Sequence, residues 1–236
     1  DLGRLRAHVL WLSTQGVDGF VPTGTTGEFL YLSEREREAI HRTVLDAARG
    51  RPVYPCLWAP SPAGVAYLAD AAQEQGATGV LVPPPVYYPL ESEAVDGWYR
   101  ELADRIELPL LALHDPTHIP AGVSAELYHR LHGEGVLAGI QDDSGDLFRV
   151  RRLARRDPAT VLAGGDRLLV AARSVPELGG IVSVAANAWP SLCLRLYRRG
   201  ESQLEEAFVE RLALVRAAGC WRAIKALLGM GFRAPL

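Results

Sequence analysis

Two groups of residues in this chain have the types and spacing to do chemistry. The first is a glycine-flanked pair of hydroxyls, Gly24-Thr25-Thr26-Gly27, followed by Glu28. Main-chain N–H groups in such a turn, with threonine hydroxyls beside them, can clamp a carboxylate or phosphate. The same residues equally suit a plain tight turn that needs two flexible positions. The second group is Glu28, His114, Asp115, Asp142, Asp143 and Asp166, each close to the end of a short apolar run. Acids and a histidine gathered there suit a divalent ion, which would stabilise an enolate. Asp142 and Asp146 also fit helix-cap and turn roles. Amine chemistry is narrowly confined. Lys225 is the only lysine among 25 Lys and Arg residues, and an arginine guanidinium stays protonated and is no nucleophile.

The elements that must position these residues alternate along the chain. Short apolar runs at 19–23, 53–58, 79–83, 109–114, 137–141, 161–164 and 180–185 predict strands. Amphipathic stretches at 33–49, 62–75, 92–105, 124–131, 147–156 and 167–176 predict the helices between them. Ser33 with Glu36 forms a capping-box pattern, and Ser92 and Ser124 are placed to cap their helices. This alternation predicts a parallel sheet, and seven strands favour a (β/α)8 barrel over an open sheet. The chain opens on a helix at 5–15, so the first of eight strands is expected upstream of residue 1. The division expected is a barrel over 1–187 and helices packed on it over 188–236. In such a barrel the strands' C-terminal ends carry the chemistry, and Asp143 should face the same way as Gln141 by strand alternation.

Composition narrows the function classes. A length of 236 residues, 48% hydrophobic, suits a single sizeable core. The net charge is −3 and the basic residues are scattered, which argues against nucleic acid or an anionic membrane as partner. No apolar run reaches the roughly 18–20 residues needed to span a bilayer. Cys56, Cys193 and Cys220 are widely spaced and in no metal-ligand pattern, as expected of buried thiols in a reducing cytoplasm.

The stretch Gly19-Phe20-Val21-Pro22-Thr23-Gly24-Thr25-Thr26-Gly27-Glu28-Phe29, then Leu32-Ser33 and Glu36-Arg37, resembles the signature of the dihydrodipicolinate synthase/N-acetylneuraminate lyase family. Further matches follow in order: Pro84 to Tyr88, Gly139-Ile140-Gln141-Asp142-Asp143-Ser144-Gly145-Asp146, Gly180 to Asn187 with Pro190, Ile224-Lys225-Ala226-Leu227, and Arg233-Ala234-Pro235-Leu236. The resemblance implies a class I aldolase barrel in which a lysine ending strand six forms an imine with a 2-oxo acid. It also implies a tyrosine ending strand five that shuttles protons, and a threonine pair that holds the carboxylate.

Here the pattern breaks. Gln141 stands where the imine-forming lysine belongs, and an amide nitrogen cannot form an imine. Aligned without a gap on Pro116, Leu113 falls at the tyrosine position; a shift of one residue brings His114 there instead. His118 falls near an arginine that contacts the carboxylate in some members. Tyr87 matches a tyrosine of the proton relay, and Thr25, Thr26, Gly27 and Val184 match ligand-binding positions. The expectation is a relative that binds a small 2-oxo acid or other carboxylate at the barrel mouth without a Schiff base or any cofactor. Its alternative is a lyase acting by a changed, metal-assisted mechanism. Resemblance also implies a homo-oligomer, dimer or tetramer.

Overall fold

The computed structural model describes residues 1–219 and 221–229. Cys220 and the Arg233-Ala234-Pro235-Leu236 motif lie outside the described residues. The helices are α1 (Leu2–Thr14), α2 (Glu34–Ala48), α3 (Pro62–Glu74), α4 (Ser92–Ala103), α5 (Ala125–Gly133), α6 (Leu147–Leu153), α7 (Pro190–Leu194), α8 (Glu205–Ala217) and α9 (Trp221–Leu227). The strands are β1 (Val80–Val82), β2 (Leu110–His114), β3 (Gly139–Asp142), β4 (Val161–Gly164) and β5 (Gly180–Val182), parallel and adjacent in chain order.

Two expected strands, 19–23 and 53–58, reach the sheet only through isolated parallel bridges, Phe20 to Val53 and Cys56 to Leu81. The reason is the prolines. Pro22, Pro52 and Pro55 accept hydrogen bonds from Cys56, Phe20 and Leu81 but have no N–H to return. The order of pairing nonetheless continues outward from β1 to both segments. Among the described residues no ladder joins β5 to the segment around Phe20, so the sheet is not closed.

Glycines let the strands approach. A Cβ built on Gly19, Gly79, Gly139 or Gly179 would meet a backbone carbonyl of the neighbouring segment at 2.7, 2.7, 2.5 and 2.3 Å. Between sheet and helices, Val65, Leu68, Val95, Leu102, Leu131 and Leu153 are buried against Leu81, Ala112 and Ile140. A smaller cluster of Val9, Val44, Ala47 and Val53 seats α1 on α2.

Most helix starts follow the sequence signals. Ser33 and Glu36 exchange their capping-box bonds, and Ser124 Oγ accepts from the Leu127 amide at 3.0 Å. Ser92 does not cap: Glu91 holds the cap position, without a side-chain bond, and Ser92 is already helical. The helix expected over 167–176 is also absent. Two short 3-10 turns, Asp166–Leu168 and Ala171–Ser174, take its place. Pro176 disfavours helical geometry at Val175, which is extended (φ −105°, ψ 103°). In the C-terminal part, Cys193, Leu196 and Phe208 pack on Leu169 and Ala185 from the loops of the sheet. No helix among the described residues is long and apolar enough to cross a membrane.

Gly139→Ala should cost about 1–3 kcal/mol, since the added methyl meets the Thr160 carbonyl rather than a movable side chain. Denaturant unfolding monitored by circular dichroism checks this; an unchanged midpoint would contradict the close approach.

Candidate functional site

The register between β2 and β3 decides which side chains face inward. Leu113 pairs with Gln141, and His114 with Asp142. Paired residues in parallel strands point the same way, and successive residues alternate. Asp142 is fully buried and turned to the helix layer, where the Arg149 guanidinium binds it and also donates to the Val123 carbonyl. Ser144 adds two bonds to the same carboxylate. His114 shares that side, its Nδ1 accepting from the Val123 amide at 3.2 Å. Burial, then the nearby Arg149 charge, lowers the His114 pKa and keeps the ring neutral.

Leu113, Gln141 and Asp143 therefore occupy the opposite face. Leu113 is fully enclosed. Gln141, 5% exposed, donates through Nε2 to Asp143 Oδ1 at 2.8 Å, while its Oε1 is buried without a hydrogen-bond partner. The Asp143 amide donates to the His114 carbonyl at 2.8 Å, so Asp143 and Asp115 follow the ends of adjacent strands. Asp143 fits because residue 164 is glycine: a Cβ there would fall 1.5 Å from its Oδ1. Burial pushes the Asp143 carboxyl up to about 7, and the charges of Asp115 and Asp142 add to the rise against the bond from Gln141.

Asp115 behaves differently. Burial alone would raise it, but bonds from His118 Nδ1 (2.9 Å) and Thr25 Oγ1 (3.0 Å) outweigh that and hold it below its usual range. The same contact with Asp115 raises His118 against a smaller opposing effect of burial, which favours the imidazolium. Thr25 is thus tied to strand β2 across ninety residues of chain.

The turn carrying Thr25, Thr26 and Gly27 is held by strained neighbours. Thr23 and Glu28 lie in the left-handed region (φ 57° and 60°), costly for non-glycine residues and typical of sites the surroundings over-determine. Thr23 Oγ1 bonds the Cys56 carbonyl (2.9 Å) and His41 Nε2 (2.6 Å). Burial, with Arg37 nearby, lowers His41 to about 4, so the ring is neutral. Glu28 is ion-paired with Lys225 of α9. Tyr87, 78% exposed and also at positive φ (93°), stacks edge-to-face on Tyr88. Val184 begins the short turn beside Asp166, whose carboxylate accepts from the Val184 and Ala185 amides and from Ser183. Among the described residues, no hydrogen bond joins Tyr87 or Val184 to the Thr25–Asp115–Asp143 group.

The acids singled out in the sequence thus separate. Glu28, Asp142 and Asp166 are each bound by other partners, and only Asp115 and Asp143 meet. No group of three or more His, Cys, Asp or Glu among the described residues could hold a metal ion. Residue types alone gave no sign of His41, or of Gly164 as the space for Asp143; the Gly164-Gly165 pair after a strand was the available signal.

Parallel strands with helices between them and polar groups at the strands' C-terminal ends define the class: an α/β barrel of the TIM type. The pattern of the dihydrodipicolinate synthetase family matches residues 1–218, and the chain belongs to that family. It is 35% identical to an uncharacterized DapA-like lyase of Halobacterium salinarum over 96% of this chain and 78% of that protein. It is 34% identical to the 4-hydroxy-tetrahydrodipicolinate synthase of Thermomicrobium roseum, over 84% and 66%. Among solved structures, KD(P)GA from T. tenax superposes with a TM-score of 0.87 at 25% identity, covering 100% of this chain and 88% of that one. YagE from E. coli K12, solved in complex with pyruvate, gives 0.87 at 23% identity over 97% and 82%, a likeness of fold.

Because the Asp143 pKa is raised in the fold, the native state binds more protons than the unfolded chain between about pH 4 and pH 7. Stability should fall across that window. Asp143→Asn should flatten the fall and stabilise the protein most above pH 7. Thermal melts of both proteins from acid to mildly alkaline pH read this; parallel curves would contradict the assignment.

Proposed function

We propose that the chain is a dihydrodipicolinate synthase-family protein that holds a small 2-oxo acid or other carboxylate at the barrel mouth and forms no imine with it. The observation that carries this is the Gln141 amide, inward-facing beside Leu113 and bonded to Asp143, at the family's imine-lysine position. The sole lysine, Lys225, is engaged with Glu28. A relative of the same fold is solved with pyruvate, and the Thr25-Thr26-Gly27 turn supplies hydroxyls and main-chain N–H groups suited to the carboxylate. With the Thr25 hydroxyl committed to Asp115, Thr26 and the turn's main chain are left for the ligand.

A second reading is lyase chemistry by a changed mechanism. It is favoured by Asp143, whose titration near neutral pH suits a general acid–base group. It would move a proton at the carbon next to the ligand's carbonyl without an imine.

Pyruvate with borohydride, followed by intact and peptide mass spectrometry, tests the first reading. The parent protein should keep its mass, and Gln141→Lys should gain a reduced pyruvate adduct at residue 141. An adduct on the parent, at Lys225 or elsewhere, would sink the proposal. Exchange of pyruvate methyl protons in D2O, seen by NMR without any adduct, would shift the choice to the second reading.

A homo-oligomer is part of the same proposal. It rests on the resemblance to the family, and Leu30, Tyr31, Tyr87 and Tyr88 are among the large hydrophobic residues left exposed. Sedimentation should give a dimer or tetramer mass; a monomer at micromolar concentration would exclude it.

A further inference from the structure

Around Gln141 the inner face of the mouth presents hydrogen-bond acceptors. Gln141 Oε1 is a buried acceptor with no partner, and leaving such an acceptor unmade is costly. Its other half, Nε2, is fixed by the Asp143 carboxylate at 2.8 Å, so the carbonyl cannot turn round without breaking that bond. Asp143 is half-buried. Asp115 follows the end of the neighbouring strand, its charge shared with His118 and the Thr25 hydroxyl. The hydrophobic neighbour, Leu113, offers no hydrogen-bonding group. What this face lacks is a donor, and one carrying positive charge satisfies Gln141 Oε1 and the Asp143 carboxylate together.

We propose that the mouth takes an α-amino acid, with its ammonium docked on Gln141 Oε1 and the Asp143 carboxylate and its own carboxylate on the Thr25–Gly27 turn. The inference rests on the reading that this turn holds a carboxylate, and adds which group the ligand carries beside it. The arrangement reverses the family's usual division of labour. There the protein supplies an amine to a ligand's carbonyl; here the protein supplies a carbonyl and a carboxylate to a ligand's amine. No covalent bond forms in this step, and the ligand's ammonium keeps its protons, sharing them as hydrogen bonds.

L-Alanine and pyruvate differ in the group that matters, an ammonium in place of a carbonyl. Binding of L-alanine, pyruvate, propionate and ethylamine to the whole protein would be measured by titration calorimetry at about pH 8, where Asp143 is ionised. L-Alanine should bind of the order of 10- to 100-fold more tightly than pyruvate, the size of a charge-assisted hydrogen bond. Gln141→Leu should abolish that preference, leaving L-alanine no tighter than pyruvate. Gln141→Glu, which keeps an acceptor, should retain it, and serves if the leucine variant does not fold. Pyruvate and propionate binding as well as L-alanine would overturn the ammonium inference and leave the carboxylate reading standing. Ethylamine binding with propionate silent would overturn the carboxylate reading, and with it the two-point docking. Silence from all four would overturn both.

Discussion

The inward face of the mouth depends on a buried ion pair on the outward face. Asp142 is wholly enclosed, and a carboxylate there is tolerable only with a charged partner and its remaining lone pairs filled. Arg149 supplies the charge from the first turns of α6 and at the same time grips the Val123 carbonyl ahead of α5. One guanidinium so ties the end of β3, the helix after it and the loop before the preceding helix. Once Asp142 is fixed outward, the two-residue alternation of a strand leaves Gln141 and Asp143 no choice but to face in. The register with β2 then sets Leu113 and Asp115 beside them.

The residues of the mouth are coherent as electrostatics. A lysine at position 141 would place an ammonium beside the Asp143 carboxylate and hold it ionised. The glutamine supplies a hydrogen-bond donor at the same spot without the charge. Burial therefore prevails at Asp143, whose carboxyl rises towards neutrality, whereas Asp115 next door stays ionised through His118 and Thr25. Two neighbouring carboxyls in one mouth are driven apart in pKa by the partners each has. That contrast, not either group alone, gives the mouth its character.

Much of this was legible in the residues. Strand–helix alternation is a local signal, and most of the elements it marked exist, as do the caps at Ser33 and Ser124. Alternation along β3 also put Gln141 and Asp143 on one side. The failures have specific causes. Prolines at 22, 52 and 55 leave runs that look like strands but cannot complete a ladder. Val175-Pro176 ended a helical pattern in favour of two tight turns. His114 resembles a site residue by type and position, yet its parity with Asp142 turns it towards the helices. The bond from Thr25 to Asp115 was beyond reading, because it joins segments that only the curved sheet brings together.

The ion pair between Lys225 and Glu28 reaches past the site. Lys225 is the chain's single lysine, and its side chain is largely covered where α9 meets the residue after the threonine turn. Acetylation, ubiquitination and amine-directed cross-linking thus have one side chain to address, and it is blocked while α9 is docked. Acylation at that position would proceed only as fast as the helix lifts away. A single covalent reagent would then act as a clock for the opening of the molecule's C-terminal side.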